Sequence, residues 1–378
     1  MAFTFVHTAD WQIGKTFGGF PEAKAAILKR ARLDAVARIA AQARTKGAAH
    51  VLVAGDIFDA ETLPDQTLRE ALSIMRKCAD LTWHLLPGNH DPARPGGLWQ
   101  RVRALGGPLA NVRAHDTQGA TEIAPGVHLL AAPLTSRAAS GDPTAWMDSA
   151  ATPEGALRIG LAHGSVQGFG SLGEAAVQIA QDRPERAGLA YLALGDWHGA
   201  RQIGPRVWYS GTPEPDRYVR NEPGHALVVR LASPSAAPEV ERVATAEFHW
   251  SQRAVQLDSL ADIEAVAVEV AALGAASRSH LLALELAGQL SLAEHSALEA
   301  RLEALAAELF WLEHDAADLH VAADGADQAM IGGGVIGEVA ARLRAVAAAD
   351  DAQARAVAEL ALRKLYGYAR QAGEGRRS

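Results

Sequence analysis

Five apolar, strand-like runs in this chain each stop at a polar cluster rich in metal-ligand side chains. In order the clusters are Asp10-Trp11-Gln12, Gly55-Asp56, Gly88-Asn89-His90-Asp91, His163-Gly164 and Gly195-Asp196-Trp197-His198-Gly199. Sites in α/β proteins form where strands end at their carboxyl edge. Glycines beside such residues let the backbone turn sharply and leave room for a ligand. A single Gly-Asp or a single histidine after a strand says little. Five clusters in one order demand a fold that gathers five strand ends in one place.

The segments between the clusters support this. Residues 22–46 and 64–79 carry helical spacing, with Gly47 as a stop. Strand runs at 3–7, 50–54 and 82–86 alternate with them, which predicts a layered α/β domain. Beyond residue 120, strand-like runs recur at 126–132, 157–162, 189–194, 207–210 and 225–231. Residues 232–239 read as a loop. Runs at 253–257, 280–287 and 309–314, with helices over 259–273 and 291–307, give a separate β-α-β-α-β unit. Two amphipathic helices follow at 335–348 and 351–370. The predicted domains are therefore 1–250, 251–328 and 329–378.

Charge follows the same division. The net charge of −8 is not spread evenly. Residues 1–253 sum to +1, residues 254–327 to −12 and residues 328–378 to +3. A simple basic coat for nucleic acid is excluded. One cysteine, Cys78, excludes a disulfide framework and a cysteine-based zinc site. The amino terminus has no basic segment before an apolar run, and no stretch of 18 apolar residues occurs. The expectation is a cytoplasmic, nucleoid-associated protein that spans no membrane. Gly332–Gly337 matches G-x-G-x-x-G but lacks a surrounding βαβ unit, so it reads as a hinge and not a dinucleotide site.

The motifs HTADWQIGK, VAGDIFD, LPGNHD, GDWHG and YSGTPEPDRY resemble those of the calcineurin-like metallophosphoesterase family. They are most similar to its SbcD-like branch of DNA repair exonucleases. By motif the resemblance covers about residues 3–220. It implies a four-layered αββα sandwich with a small α/β capping domain and a C-terminal helical tail. It implies two divalent ions, with Asp56 as the bridging ligand. Asp10, Gln12 and His198 correspond to the ligands of one ion, and Asn89, His163 and Asp196 to those of the other. His90 corresponds to the residue that assists the leaving group, and Asp91 to the one that orients it. Two metals roughly 3.5–4 Å apart suit in-line phosphoryl displacement.

Two positions depart from the family pattern. Gln12 and Asp196 stand where histidines are usual, so oxygen ligands replace nitrogen ones. A harder site preferring Mn²⁺ or Mg²⁺ over Zn²⁺ is expected, with Gln12 as a non-ligand the alternative. The resemblance further implies DNA as substrate, a coiled-coil SbcC-like ATPase subunit as partner of the tail, and a homodimer. There is no phosphate loop for ATP in the chain itself. Competing readings are a small-molecule phosphodiesterase or phosphatase, and a non-catalytic DNA-end scaffold. Arg94, Arg101, Arg103, Arg137, Arg201, Arg206, Arg217 and Arg220 are candidates for phosphate contacts. Trp11 and Trp197 could stack a base or pack.

Overall fold

The computed structural model describes residues 2–106, 111–137, 141–169, 177–219, 221–322, 334–349 and 351–374. The chain forms two compact units, Met1–Phe248 and His249–Ser378.

The first unit is built on two six-stranded sheets. One contains β1 (Phe3–Thr8), β2 (His50–Val53), β3 (Thr82–Leu85), β4 (Val112–Ala114), β13 (His225–Leu231) and β14 (Glu239–Ala244), in the order β14-β13-β1-β2-β3-β4. β1 to β4 run parallel, and β13 and β14 close the edge antiparallel. The other contains β5 (Gly119–Ala124), β6 (Val127–Ala132), β7 (Leu157–His163), β10 (Tyr191–Gly195), β11 (Arg201–Gly204) and β12 (Val207–Tyr209). Its order is β11-β12-β10-β7-β6-β5. A two-stranded ribbon pairs β8 (Ser165–Val166) with β9 (Gln178–Ile179).

Side-chain alternation along the strands explains the layering. Val6, Val51 and Val53 face helices α1 (Glu22–Thr45) and α2 (Asp65–Lys77), packing on Val36, Ile39, Leu68 and Leu72. Their neighbours Phe5, Leu52 and Ala54 face the second sheet and meet Leu129, Leu161, Tyr191 and Ala193. The opposite face of the second sheet, with Leu130, Ala162, Leu192 and Leu194, is covered by Met147 and Ala187 from short helical turns. The order is helix, sheet, sheet, helix, as a four-layered αββα sandwich requires. The predicted loop at 232–239 is shorter than expected, because Glu239 already pairs with Arg230 across β13 and β14.

The second unit has a parallel sheet of β15 (His249–Leu257), β16 (His280–Ser291) and β17 (Trp311–Ala322). Helices α5 (Leu260–Ala272) and α6 (Leu292–Glu308) connect these strands. Both begin with a capping box, Ser259 with Asp262 and Ser291 with Glu294, which satisfies the free amides of the first turn. The tail helices, α7 (Gly334–Ala347) and α8 (Ala352–Glu374), belong to this unit through Ala340 and Leu362, which pack on Leu292. Gly332 and Gly333 of the expected hinge lie outside the described residues. No helix among the described residues is long and apolar enough to cross a membrane.

His7 ties the two sheets together. Its Nε2–H donates to Leu194 O at 3.1 Å, and its Nδ1 accepts from Tyr191 Oη at 3.0 Å. Burial drives its pKa down to about 3, against the opposing pull of the Leu194 carbonyl. The folded ring stays neutral where the unfolded ring, at about 6.5, takes a proton. The unfolded state then binds more protons, so stability falls as pH drops below about 6.5. At pH 5 this amounts to about 2 kcal/mol for one histidine. Denaturant unfolding of wild type and His7→Gln at pH 7.5 and pH 5 should show the variant's deficit shrinking by about that amount. A deficit that does not change with pH would refute it.

Candidate metal centre

The loops after β1 and β2 continue the parallel pairing beyond the strands. Asp10 N donates to Gly55 O at 3.1 Å, Gln12 N to Asp56 O at 2.9 Å, and Ile13 N to Ile57 O at 2.9 Å. This zipper holds two ligand-bearing loops side by side. The site also uses unusual backbone. Asp10, Gln12, Asp56 and Asp196 have φ of 54°, 42°, 53° and 103°. Non-glycine residues avoid this region, and such strain collects at functional sites. Gly88 is needed for a different reason: a Cβ there would sit 2.2 Å from Asp56 Oδ1.

The side chains converge from both sheets. Ligand atoms of Asp10, Asp56 and His163 all lie within 4.8 Å of one another, and all three residues are buried. His163 Nδ1–H donates to Ala54 O at 2.8 Å, so Nε2 is the nitrogen turned to the centre. That Nε2 lies 3.5 Å from Asp56 Oδ2, 3.9 Å from Asp196 Oδ1 and 2.9 Å from the Asn89 amide. With its nitrogen on this side, Asn89 also donates to both Asp56 oxygens, at 3.1 and 3.2 Å. Asp196 N donates to the Asp10 carboxylate, and Ser165 Oγ donates to Asp196 Oδ2 at 2.9 Å. At the other end, Gln12 Nε2 approaches His198 Nε2 at 3.3 Å.

The electrostatics call for positive charge. Burial pushes the Asp10 carboxyl up to about 6, although His198 and His163 pull it down. Burial disfavours a proton on His163, yet Asp56, Asp10 and Asp196 overcome this and lift it to about 9. Gln12 Oε1 is buried without a hydrogen-bond partner. A buried acceptor left bare is costly, and a cation would satisfy it. Hard oxygen donors with imidazole therefore fit divalent metal.

His90 stands at the rim, half-exposed. Its backbone N–H donates to Asp56 Oδ1 at 2.9 Å, and its Nδ1–H donates to Asp59 O at 2.9 Å. Nε2 is thereby left facing the centre, 4.0 Å from Asp56 Oδ2. Asp91 does not orient this ring as expected. Its two oxygens accept from Gly88 N at 2.7 Å and Phe58 N at 3.1 Å, which pins the loop that carries Asn89 and His90. Burial, with Asp56 nearby, holds the Asp91 carboxyl well above the usual range.

Three supports had little signal in the sequence. Arg32, buried on α1, donates to Trp11 O at 2.8 Å, Glu214 O at 2.9 Å and Asp10 O at 3.2 Å. Asp216, inside the YSGTPEPDRY segment, lies 3.5 Å from His198 Nδ1 and 2.8 Å from Lys15 Nζ. Burial alone would raise its pKa, but His198, Arg32 and Lys15 hold it well below the usual carboxylate range. Asp59 acts through its backbone, which composition cannot reveal. Trp11 packs edge-on against Trp83 and donates to Thr8 Oγ1, so it is a core residue.

Residues 3–179 match the family model described as calcineurin-like phosphoesterase. The chain carries a calcineurin-like metallophosphoesterase domain. A domain of that family implies a metal-dependent hydrolase. No curated protein matches the chain. Among solved structures it is similar to the crystal structure of TT1561 of Thermus thermophilus, at 12% identity and a TM-score of 0.42. That match covers 65% of this chain and 100% of the other.

Ions that bind the folded centre and not the unfolded chain must stabilise the phosphoesterase domain. At a concentration 100-fold above Kd the gain is about 2.7 kcal/mol. Mn²⁺ should raise the unfolding midpoint of stripped wild type, and a chelator should reverse it. Asp56→Ala should show no such rise; an equal rise in the variant would place the ions elsewhere.

Proposed function

We propose that this protein is a metal-dependent DNA nuclease of the SbcD-like type, hydrolysing phosphodiester bonds in DNA repair. The observation that carries the reading is the cleft beside the centre. It has a volume of about 520 Å³ and is lined by Asp196, Trp197, His198, Arg217, Val219 and Asn221. An aromatic ring and a guanidinium next to a metal-ligand histidine suit a nucleotide strand, offering a stacking face and a phosphate partner. Trp197 itself packs against Phe169, with ring centroids 5.1 Å apart. A small-molecule phosphodiesterase is the competing reading, and it needs neither the second unit nor the tail.

In this reading Asp10, Gln12, Asp56 and His198 would hold one ion and Asp56, Asn89, His163 and Asp196 the other. Mn²⁺ or Mg²⁺ held there would supply Lewis acidity and offset the charge that develops on the phosphoryl oxygens. His90, fixed by the Asp59 carbonyl, directs Nε2 to the leaving oxygen as proton donor. Ser165 and Asp216 hold Asp196 and His198 in place. The tail exposes Val335, Ile336, Val339, Val357 and Leu360, and we assign it to docking on a coiled-coil SbcC-like ATPase subunit. A homodimer acting on the nucleoid completes the proposal.

Wild type, Asp56→Ala and His90→Ala should be incubated with Mn²⁺ and either end-labelled DNA or bis-p-nitrophenyl phosphate. Wild type should cut both. Asp56→Ala should cut neither, and His90→Ala should lose about a hundredfold or more on DNA. Cleavage of the small ester alone would reject the nuclease in favour of the phosphodiesterase. DNA retained with neither substrate cut would favour a scaffold. In a metal series on stripped protein, Mn²⁺ should give the highest rate, because oxygen donors dominate the ligand set. A maximum with Zn²⁺ would overturn that preference.

A further inference from the structure

The arginines singled out in the sequence separate once their partners are known. Arg94 pairs with Glu61 at 3.4 Å, Arg101 with Asp65 at 3.2 Å, and Arg103 with Asp116. Arg206 donates to the carbonyls of Ala190, Pro234 and Ser235. Arg201 lies over the Phe169 ring, 6.0 Å from its centroid. Arg220 is outside the described residues. Among the described residues, Arg217 is the one arginine in the wall of the cleft beside the centre.

Its surroundings are unusual. The Arg217 side chain is 56% exposed, and Nε lies 3.3 Å from Asp216 Oδ1. The same buried carboxylate already has Lys15 at 2.8 Å and His198 Nδ1 at 3.5 Å. One anion thus faces two permanent cations and an imidazole. Arg217 Nη2 also approaches His198, 3.2 Å from Nδ1 and 3.4 Å from Nε2. A guanidinium can only donate, so this contact needs a ring lone pair. The exposed guanidinium borders the cleft, and Asn221 lines the cleft beside it.

We propose that Arg217, with Asn221 beside it, forms an anion subsite that holds a phosphate next to the one being cut. The proposal rests on the nuclease reading and narrows it: the ligand is a strand with successive phosphates, not an isolated phosphodiester. Arg217 is a specificity-determining residue, and the planar fork of its guanidinium matches a phosphate with two parallel hydrogen bonds.

The test is binding, read separately from cleavage. Fluorescence anisotropy of a labelled short oligothymidylate is measured with Mn²⁺ over a series of salt concentrations. Wild type, Arg217→Ala, Arg217→Lys and, as a control for net charge alone, Arg230→Ala are compared. Arg230 is exposed on β13 and pairs with Glu239. Arg217→Ala should weaken binding about tenfold. It should also lower the salt slope by about 0.7, the value for one phosphate contact on a single strand. Arg217→Lys should recover the slope, and Arg230→Ala should keep both affinity and slope. Unchanged binding in Arg217→Ala, an equal loss in Arg230→Ala, or no binding by wild type would each overturn the subsite. Binding that behaves as expected while end-labelled DNA stays uncut would refute the nuclease reading and leave the subsite standing.

Discussion

Buried negative charge is the constraint on which this molecule depends. Asp10 and Asp56 are carboxylates with essentially no exposure, set beside each other at the ends of adjacent parallel strands. Charges so placed are tolerated only when paired or bound to metal. The fold answers from several sides. Arg32 reaches the backbone carbonyls beneath Asp10 and Trp11, and His163 approaches from the second sheet. The left-handed backbone at four of the site residues is the conformational cost of aiming them inward. At Asp10, Gln12 and Asp56 it is held by the hydrogen bonds between the two loops, which repeat the sheet ladder where no sheet remains, and at Asp196 by its N–H on the Asp10 carboxylate.

The two sheets must keep a fixed relation for this centre to exist, since each supplies part of it. His7 and Tyr191 link them by side-chain hydrogen bonds just behind the ligand loops. The interlayer core of Phe5, Leu52, Leu129 and Leu161 fills the space between them. Burial of these apolar faces supplies the driving force. The polar link then selects one register among the packings that burial alone would allow.

The uneven charge also finds a physical place. The described residues 254–322 of the acidic stretch form most of the second unit's sheet and the helices between its strands. Its two arginines are engaged there: Arg278 donates to Ala307 O and Arg301 pairs with Glu264 at 2.9 Å. On the sheet, Glu285 and Asp315 are register neighbours and both exposed. Such a surface repels a polyanion. Lys15 and Arg217, the cations around Asp216, lie instead in the first unit.

Much of the layout was legible in the sequence because it follows from periodicity. Strand alternation, helical spacing and ligand clusters after strands are local signals, and they placed Asp10, Asp56, Asn89, His163, Asp196 and His198 at strand ends, where the structure has them. The second unit's β-α-β-α-β order was equally visible, though β16 and β17 run longer than their apolar cores because Ser291 and Ala322 still pair. What the sequence could not decide is which groups touch. Asp91 sits beside His90 in the chain yet bonds to Gly88 and Phe58, while the ring takes a backbone carbonyl from Asp59. Arg32 looked like one more helical arginine, and Arg217 like one of eight in loops. Residue type and spacing determine which chemistry can occur at a strand end. Hydrogen bonds between groups more than 180 residues apart, such as Gln12 with His198 and Arg32 with Glu214, exist only after both sheets have closed on each other.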